Sequence, residues 1–352
     1  MSFDDRIRLL QTKLTSSQAI LLSRPADIRY FTGFIVLNPE EREAFFLITP
    51  QSATLLYPSF SPVTKLTNIV YHPGHWPSDV ESVLTEKMEA DKVSEVLVDT
   101  SSLFVDEYQQ LENIGKLQLS SLDRDLIWGI RIKKDEDEVR ALTAANHITQ
   151  QVMAELQTKV VVGVTELQLA SECETLFKKY GSNQLAFPPV IAFGSHTALP
   201  HHQPTNTPLK KEMAVLFDIG GRIDGYCGDM TRTWWFGDVV PAEFAKLEKI
   251  VMEAYAAGLA AVHVDCGSDE IDQQARNIID KAGYGKYFIH TTGHGIGLEI
   301  HEYPSVYFKK KVVLPEHAVF TIEPGIYLEG KFGYRYENTI LIEAGGAKEL
   351  TK

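Results

Sequence analysis

The sequence predicts two domains, an α/β N-terminal domain and an α+β C-terminal domain built from an internal repeat. Three observations predict it. Residues 1–125 alternate short apolar runs with amphipathic helical patterns. A polar segment, Arg131–Glu138 (RIKKDEDE), then interrupts them. Beyond it the order helix, helix, loop, hairpin occurs over 134–236 and again over 241–342. The domains are placed at 1–125 and 126–352.

The 352 residues are enough for two domains that each bury a core. A hydrophobic fraction of 44% and a charged fraction of 23% are ordinary for a globular chain. The net charge of -13 argues against nucleic acid, which selects a basic stripe. No apolar run reaches the ~18–20 residues of a membrane span. The N-terminus, MSFDDRIRLL, is acidic where a signal peptide is basic, so a cytoplasmic location is expected. Cys173, Cys227 and Cys266 are scattered with no CxxC, as reduced thiols are.

In the first domain, Ala19–Leu22, Ala44–Ile48, Ala53–Tyr57 and Ser94–Val98 read as strands. Pro25–Tyr30 reads as a helical turn, and Ser78 as the cap of a helix running to about Met88. His72 and His75 flank Pro73-Gly74 in an expected loop, without a catalytic cluster.

The second domain opens on a helix whose apolar positions are Val139, Leu142, Ala145, Ile148, Val152 and Leu156, one buried face. Val160–Val164 breaks it. Thr165 and Gln168 form the capping box of a second helix, which Gly181 ends. Phe187–Pro208 is an expected loop rich in Pro and His. In the second half, Pro241 starts a helix through Ala261, and Ser268 caps another through Lys281. Val319–Leu328 and Tyr334–Ile342 then form the second pair of strands.

The first hairpin, Val215–Phe236 (VLFDIGGRIDGYCGDMTRTWWF), carries two aspartates within its strands, Asp218 and Asp229. A hairpin centred between Ile223 and Asp224 sets them opposite each other, with Cβ atoms ~4.5–5.5 Å apart. Carboxylates that close repel unless a proton or cation lies between them. A divalent metal, or a pair, satisfies both. The plainer reading has one aspartate hydrogen-bonded in the core and one at the surface. Cys227 shares the face of Asp229, where a small buried thiol is its simplest role.

The repeat adds Glu323 (FTIEPG), 105 residues after Asp218, and Glu337 (YRYEN), 108 after Asp229. Four carboxylates aimed into one cavity require cationic charge. The stretch HTTGHGIGLEIHE contributes His290, His294 and His301. Gly293, Gly295 and Gly297 argue against a helix there and let backbone approach a site closely. His294, between glycines, is the expected metal ligand. His290 and His301 are candidates for polarising substrate or moving a proton. A carboxylate-rich set with one imidazole suits Mn, with Co, Fe or Zn also compatible.

Five motifs in order, FDIGG, GDMTRT, TGHGIGLEIHE, IEPG and RYEN, make residues 131–352 resemble the pita-bread metallopeptidases. That family includes aminopeptidase P, prolidase and methionine aminopeptidase. IRYFTGF in the first domain is similar to the N-terminal domain of aminopeptidase P and prolidase, which methionine aminopeptidases lack. The resemblance implies a creatinase/prolidase-like N-terminal domain and a pita-bread catalytic domain with a pseudo-twofold repeat. It implies two metal ions, usually Mn or Co with Zn as another option, and a bridging water or hydroxide as nucleophile. Asp229 and Glu337 would bridge both ions, Asp218 would hold one, and His294 and Glu323 the other. Glu323 would also act as proton acceptor. In TALPHHQP, His201 matches the family's substrate-binding histidine, with His202 as second choice. His201, His290, His301 and Tyr327 are thus expected to meet substrate, and Arg335 to hold carboxylates in place. Thr231 and Thr233 are candidates to support the ligands.

The implied activity is hydrolysis between an N-terminal residue and a following proline, as aminopeptidase or dipeptidase, by a homodimer. Two other classes share the scaffold, a metal-free amidinohydrolase like creatinase and a non-catalytic binding module. Both predict missing ligands, and all five are present.

Overall fold

The computed structural model of the protein describes residues 1–37, 42–74, 78–114 and 117–352. The chain divides into two compact units, Met1–Arg131 and Ile132–Lys352.

The first unit contains, in chain order, α1 (Phe3–Gln11), β1 (Gln18–Leu22), α2 (Pro25–Thr32), β2 (Phe45–Ile48), β3 (Ala53–Tyr57), β4 (Val70–Pro73), α3 (Ser78–Ala90), β5 (Glu95–Val98), α4 (Val105–Glu112), β6 (Gln118–Ser121) and α5 (Asp125–Arg131). Its six strands form one mixed sheet in the order β4-β3-β2-β1-β5-β6. β1 to β3 and β5 fill positions read as strands from the sequence. β4 and β6 went unread because they are the sheet edges, with partly exposed polar residues and no apolar run. His72 therefore lies in a strand, not a loop, and His75 falls outside the described residues. Ser78 is the first residue of α3. A core of Leu21, Leu47, Val83, Val96, Val98 and Leu111 lies between sheet and helices. The fully buried Asp27 accepts from Arg131 Nη1 at 2.8 Å and pairs with Arg124, so its charge is matched.

The second unit repeats one plan twice. Its first half is α6 (Glu136–Gln157), α7 (Glu166–Lys179), β7 (Val190–Phe193), β8 (Met213–Ile219), β9 (Arg222–Ile223), β10 (Tyr226–Cys227) and β11 (Met230–Phe236). Its second half is α8 (Ala242–Ala260), α9 (Ser268–Lys281), β12 (Gly293–Gly295), β13 (Glu302–Val306), β14 (Val319–Ile322), β15 (Gly325–Leu328), β16 (Phe332–Arg335), β17 (Asn338–Glu343) and β18 (Gly346–Glu349). Leu142, Ala145, Val152 and Leu156 form the buried stripe of α6, and Thr165 caps α7 through the expected box. The segment 187–208 is not all loop, because β7 joins the sheet β11-β8-β7. Gly267, not Ser268, occupies the cap of α9, and the Ser268 hydroxyl instead bonds Lys310 O and Val312 N.

The first hairpin turns at Asp224-Gly225, with φ of 50° and 86°. Both are left-handed, the primed turn that matches strand twist and that a β-branched Ile223 resists. Asp218 therefore pairs with Thr231, not with Asp229, which lies just outside β11. The second hairpin is also interrupted. β14 pairs with β17 and β15 with β16, in separate sheets. At the break Glu323 N donates to Thr292 O (2.7 Å) and Glu337 N to Thr231 O (3.3 Å). The two glutamates are thus turned out of their own hairpin ladder at the point where the strands change sheets. No helix among the described residues is long and apolar enough to cross a membrane.

Candidate metal centre

Asp218 on β8, Asp229 before β11, Glu323 after β14 and Glu337 before β17 converge with His294 on β12. One ligand atom each from Asp229, His294 and Glu337 lie within 4.8 Å of one another. His294 Nε2 is 3.6 Å from Asp229 Oδ2 and 3.3 Å from Glu323 Oε1. Asp218 is held by Arg335, whose Nη2 donates to Oδ2 at 2.6 Å. The same guanidinium donates from Nη1 to the Tyr327 hydroxyl (3.0 Å) and from Nε to Thr231 Oγ1 (3.1 Å). Thr231 Oγ1 in turn donates to Glu337 Oε2 at 2.6 Å. Thr233 acts one step further out, donating from Oγ1 to Arg335 O at 2.8 Å.

The electrostatics show what this donor set lacks. Burial, followed by the charges of Glu337, Asp218 and Glu323, holds the Asp229 carboxyl well above the usual range. Burial and the charges of Glu323 and Asp218 do the same to Glu337. Glu323 is raised to about 8, mainly by burial. The imidazole offers no relief, since burial and the neighbouring His301 lower His294 to about 3. Its Nδ1 lies 3.2 Å from Gly295 O, an acceptor, which puts the proton on Nδ1. The Nε2 lone pair then faces two carboxylates. Asp218 Oδ1, moreover, is buried without a hydrogen-bond partner among the described residues. Four clustered carboxylates and an imidazole lone pair, with one guanidinium to offset them, suit divalent cations. These five residues fit such ions.

The remaining histidines divide. His290 donates from Nδ1 to Thr291 O (2.7 Å) and accepts from Tyr327 OH at Nε2 (2.8 Å). Burial, then Arg335, lowers it to about 4, so it is neutral and both ring nitrogens are committed. His301 packs edge-on against His294, with ring centroids 4.3 Å apart. Burial, then the charge of His201, lowers its proton affinity, and His201 also opposes protonation of His290. His201 is exposed, and its charge reaches both. His202 does not join them. It is buried and turned to Glu166, with Nε2 2.9 Å from Oε2. Cys227 packs in the core with its thiol toward Leu298 O and is in neither metal-competent group found among the described residues.

Glu166 and His196 went unread in the sequence. They form with His202 a second group of potential ligand atoms within 4.8 Å. Glu166 follows a capping threonine, where a glutamate is read as a helix-dipole partner, and local pattern carries no sign of its burial.

Residues 140–344 match the family model described as metallopeptidase family M24, and residues 6–133 match the creatinase/prolidase N-terminal domain. An uncharacterized peptidase of Staphylococcus saprophyticus is 32% identical over 346 residues, covering 97% of each chain. Among solved structures, an Xaa-Pro dipeptidase from Bacillus anthracis superposes with a TM-score of 0.90 at 26% identity, over 100% of this chain and 98% of that one. A prolidase from Pyrococcus furiosus gives 0.87 at 28%, over 98% and 99%. An X-Pro aminopeptidase from Thermotoga maritima gives 0.84 at 28%, over 97% of each chain. With its family match spanning more than half the chain and its site built from the same five motifs, the protein belongs to metallopeptidase family M24, whose members bind divalent metals.

Proposed function

We propose that the chain hydrolyses the peptide bond between an N-terminal residue and a following proline, using two divalent ions, with Mn the first choice. The observation that carries the reading is the convergence of Asp218, Asp229, Glu323, Glu337 and the neutral His294, more carboxylates than the one guanidinium of Arg335 can neutralise. The structural likeness to Xaa-Pro dipeptidase, prolidase and X-Pro aminopeptidase supports proline at the second position.

When bound, the two ions supply a nucleophile at neutral pH by acidifying water, and a Lewis acid for the scissile carbonyl. Asp218, Asp229, His294, Glu323 and Glu337 would hold the ions. Arg335 and Thr231 keep Asp218 and Glu337 in fixed orientations, so the carboxylates do not rearrange during the reaction. Glu323 is assigned to accept a proton at its carboxylate and return it to the leaving prolyl nitrogen. His201 and His301 are assigned to the scissile carbonyl oxygen. His290, with both nitrogens committed, orients the Tyr327 hydroxyl instead of meeting substrate directly. The acidic cluster also suits a free α-ammonium group, consistent with cleavage at an N-terminus.

The test compares a Xaa-Pro dipeptide with a longer Xaa-Pro-Xaa peptide, using metal-stripped protein with and without Mn. Cleavage only with metal is expected. The ratio of the two rates assigns dipeptidase or aminopeptidase character. No cleavage of either peptide by protein carrying two ions would overturn the substrate assignment.

A further inference from the structure

We propose that Glu166 is a positioning residue, whose buried carboxylate clamps the segment 193–205 and so fixes His201 beside His290 and His301. The inference rests on the role assigned to His201 under the proposed function.

Glu166 is the first residue of α7 and is fully buried. A surface glutamate there would already benefit from the helix dipole, so burial asks for a further reason. Its Oε1 accepts from Phe193 N (2.8 Å) and faces His196 Nδ1 (2.8 Å). Its Oε2 faces His202 Nε2 (2.9 Å) and accepts from Thr205 N (2.9 Å) and Thr205 Oγ1 (2.7 Å). Burial alone would push this carboxyl up, but the bonds from His202, His196 and Thr205 outweigh it and hold the group below its ordinary value. Charge-assisted bonds of this kind are the strong ones.

The partners are not spread over the fold. All lie between the end of β7 and Thr205, on both sides of His201. Phe193 and His196 fix the entry to the segment, and His202 and Thr205 its exit. The rings of His196 and His202, tilted by 31° with centroids 4.3 Å apart, close the clamp. Exposed His201 thus hangs between fixed points rather than on a free loop.

The second half of the repeat uses the same device. Asp272 on α9 is fully buried and accepts from Thr292 N (3.2 Å) and Thr292 Oγ1 (2.7 Å). It also pairs with Arg276, whose Nη2 donates to His290 O at 2.9 Å. In each half, then, the second helix supplies a buried carboxylate that anchors a histidine-bearing segment. An ion held by Glu166, His196 and His202 is the competing account. The lone pairs of Glu166 are already occupied by five contacts, two of them from backbone N–H groups that cannot turn away, which favours a clamp over an ion cage.

The test uses full-length, metal-replete protein. Glu166→Gln keeps the volume but turns an amide N–H₂ toward fixed donors. Thr205→Val loosens the same clamp more gently and replaces it if the glutamine variant fails to fold. We expect amide hydrogen exchange to accelerate in 194–205 and not in β8 or β14. With a Xaa-Pro peptide, kcat/KM should fall by about 10²-fold, as for a misplaced catalytic group. In the His201→Ala background the same substitution should change kcat/KM by less than about twofold, the limit of additivity. Equal losses in both backgrounds, or unchanged exchange in a folded variant, would overturn the proposal. A third equivalent of Mn or Zn bound by the wild type and lost in Glu166→Gln would overturn it in favour of an ion site. If the wild type cleaves no Xaa-Pro peptide, the substrate reading fails, and the exchange measurement alone decides the clamp.

Discussion

At the scale of single residues, the centre depends on side chains that touch ligands rather than serve as ligands. Arg335 reaches Asp218, Tyr327 and Thr231 at once, a geometry only a planar fork can satisfy. Arg335→Lys keeps the charge and loses the fork. Metal affinity and kcat/KM are expected to fall by about 10- to 100-fold, read by metal titration and steady-state kinetics. Thr231→Val is the smaller change. It leaves Glu337 Oε2 without a hydroxyl donor and Arg335 Nε without an acceptor, both buried. Metal-free protein should lose about 1–3 kcal/mol in urea unfolding. An unchanged midpoint would mean that water replaces the hydroxyl. The candidate ligands were legible in the sequence because carboxylates inside apolar runs contradict their surroundings. Thr231 and Arg335 were legible only by adjacency to those ligands. Glu166 was not legible, since its partners lie 27 to 39 positions away.

At the scale of elements, the strands themselves were easier to read than their register. The pattern of two apolar runs joined by a Gly/Asp-rich turn located β8 and β11, but that pattern is unchanged by a slip of two residues. It therefore could not choose between Asp229 and Thr231 as the partner of Asp218. The turn decides, because only Asp224-Gly225 supplies two left-handed residues in succession. The interruption of the second hairpin was hidden for another reason. Pro324 lacks an N–H, yet the sheet change around it depends on hydrogen bonds from Glu323 and Glu337 to strands distant in sequence. β12 shows how tightly these elements meet. A Cβ on Gly293 would lie 1.8 Å from Thr321 O, the backbone of β14. Gly293→Ala must push β12 off its neighbour and carry His294 with it. We expect a loss of about 1–3 kcal/mol, the usual cost of overpacking, together with weakened metal binding. A variant that lost stability yet bound metal normally would show that His294 is positioned independently of this contact.

At the scale of the whole molecule, the site's mutual repulsion becomes a dependence of stability on pH. In the metal-free fold Asp229 and Glu337 sit above their ordinary range and Glu323 at about 8. The folded state then holds protons that the unfolded chain has released, so these groups favour folding at low pH. Their contribution is lost as pH rises from the ordinary carboxylate range toward 8. The histidines act in the opposite sense. His290 and His294 are lowered to about 4 and about 3, so the unfolded chain binds the extra protons there. Their cost to the fold disappears once pH passes the ordinary histidine value of about 6.5. Above about pH 6.5 the histidine contribution fades while the carboxylate contribution still changes, and the metal-stripped protein should melt at progressively lower temperature up to about pH 8. Divalent ions reverse the slope, because ionised carboxylates and a neutral imidazole are the forms that bind them. At a free ion concentration 100 times Kd the gain is about 2.7 kcal/mol, and Kd itself tightens as the site loses protons. Calorimetric scans of stripped and Mn-loaded protein at pH 6.5 and pH 8 should therefore diverge, with the larger metal increment at the higher pH (a window bounded below by about pH 6.5 for ordinary histidine and above by Glu323 at about 8). A metal increment that did not grow over this interval would mean that the four carboxylates do not share one cation site. The convergence of both halves of the repeat on a common centre would then have to serve something other than metal-assisted hydrolysis.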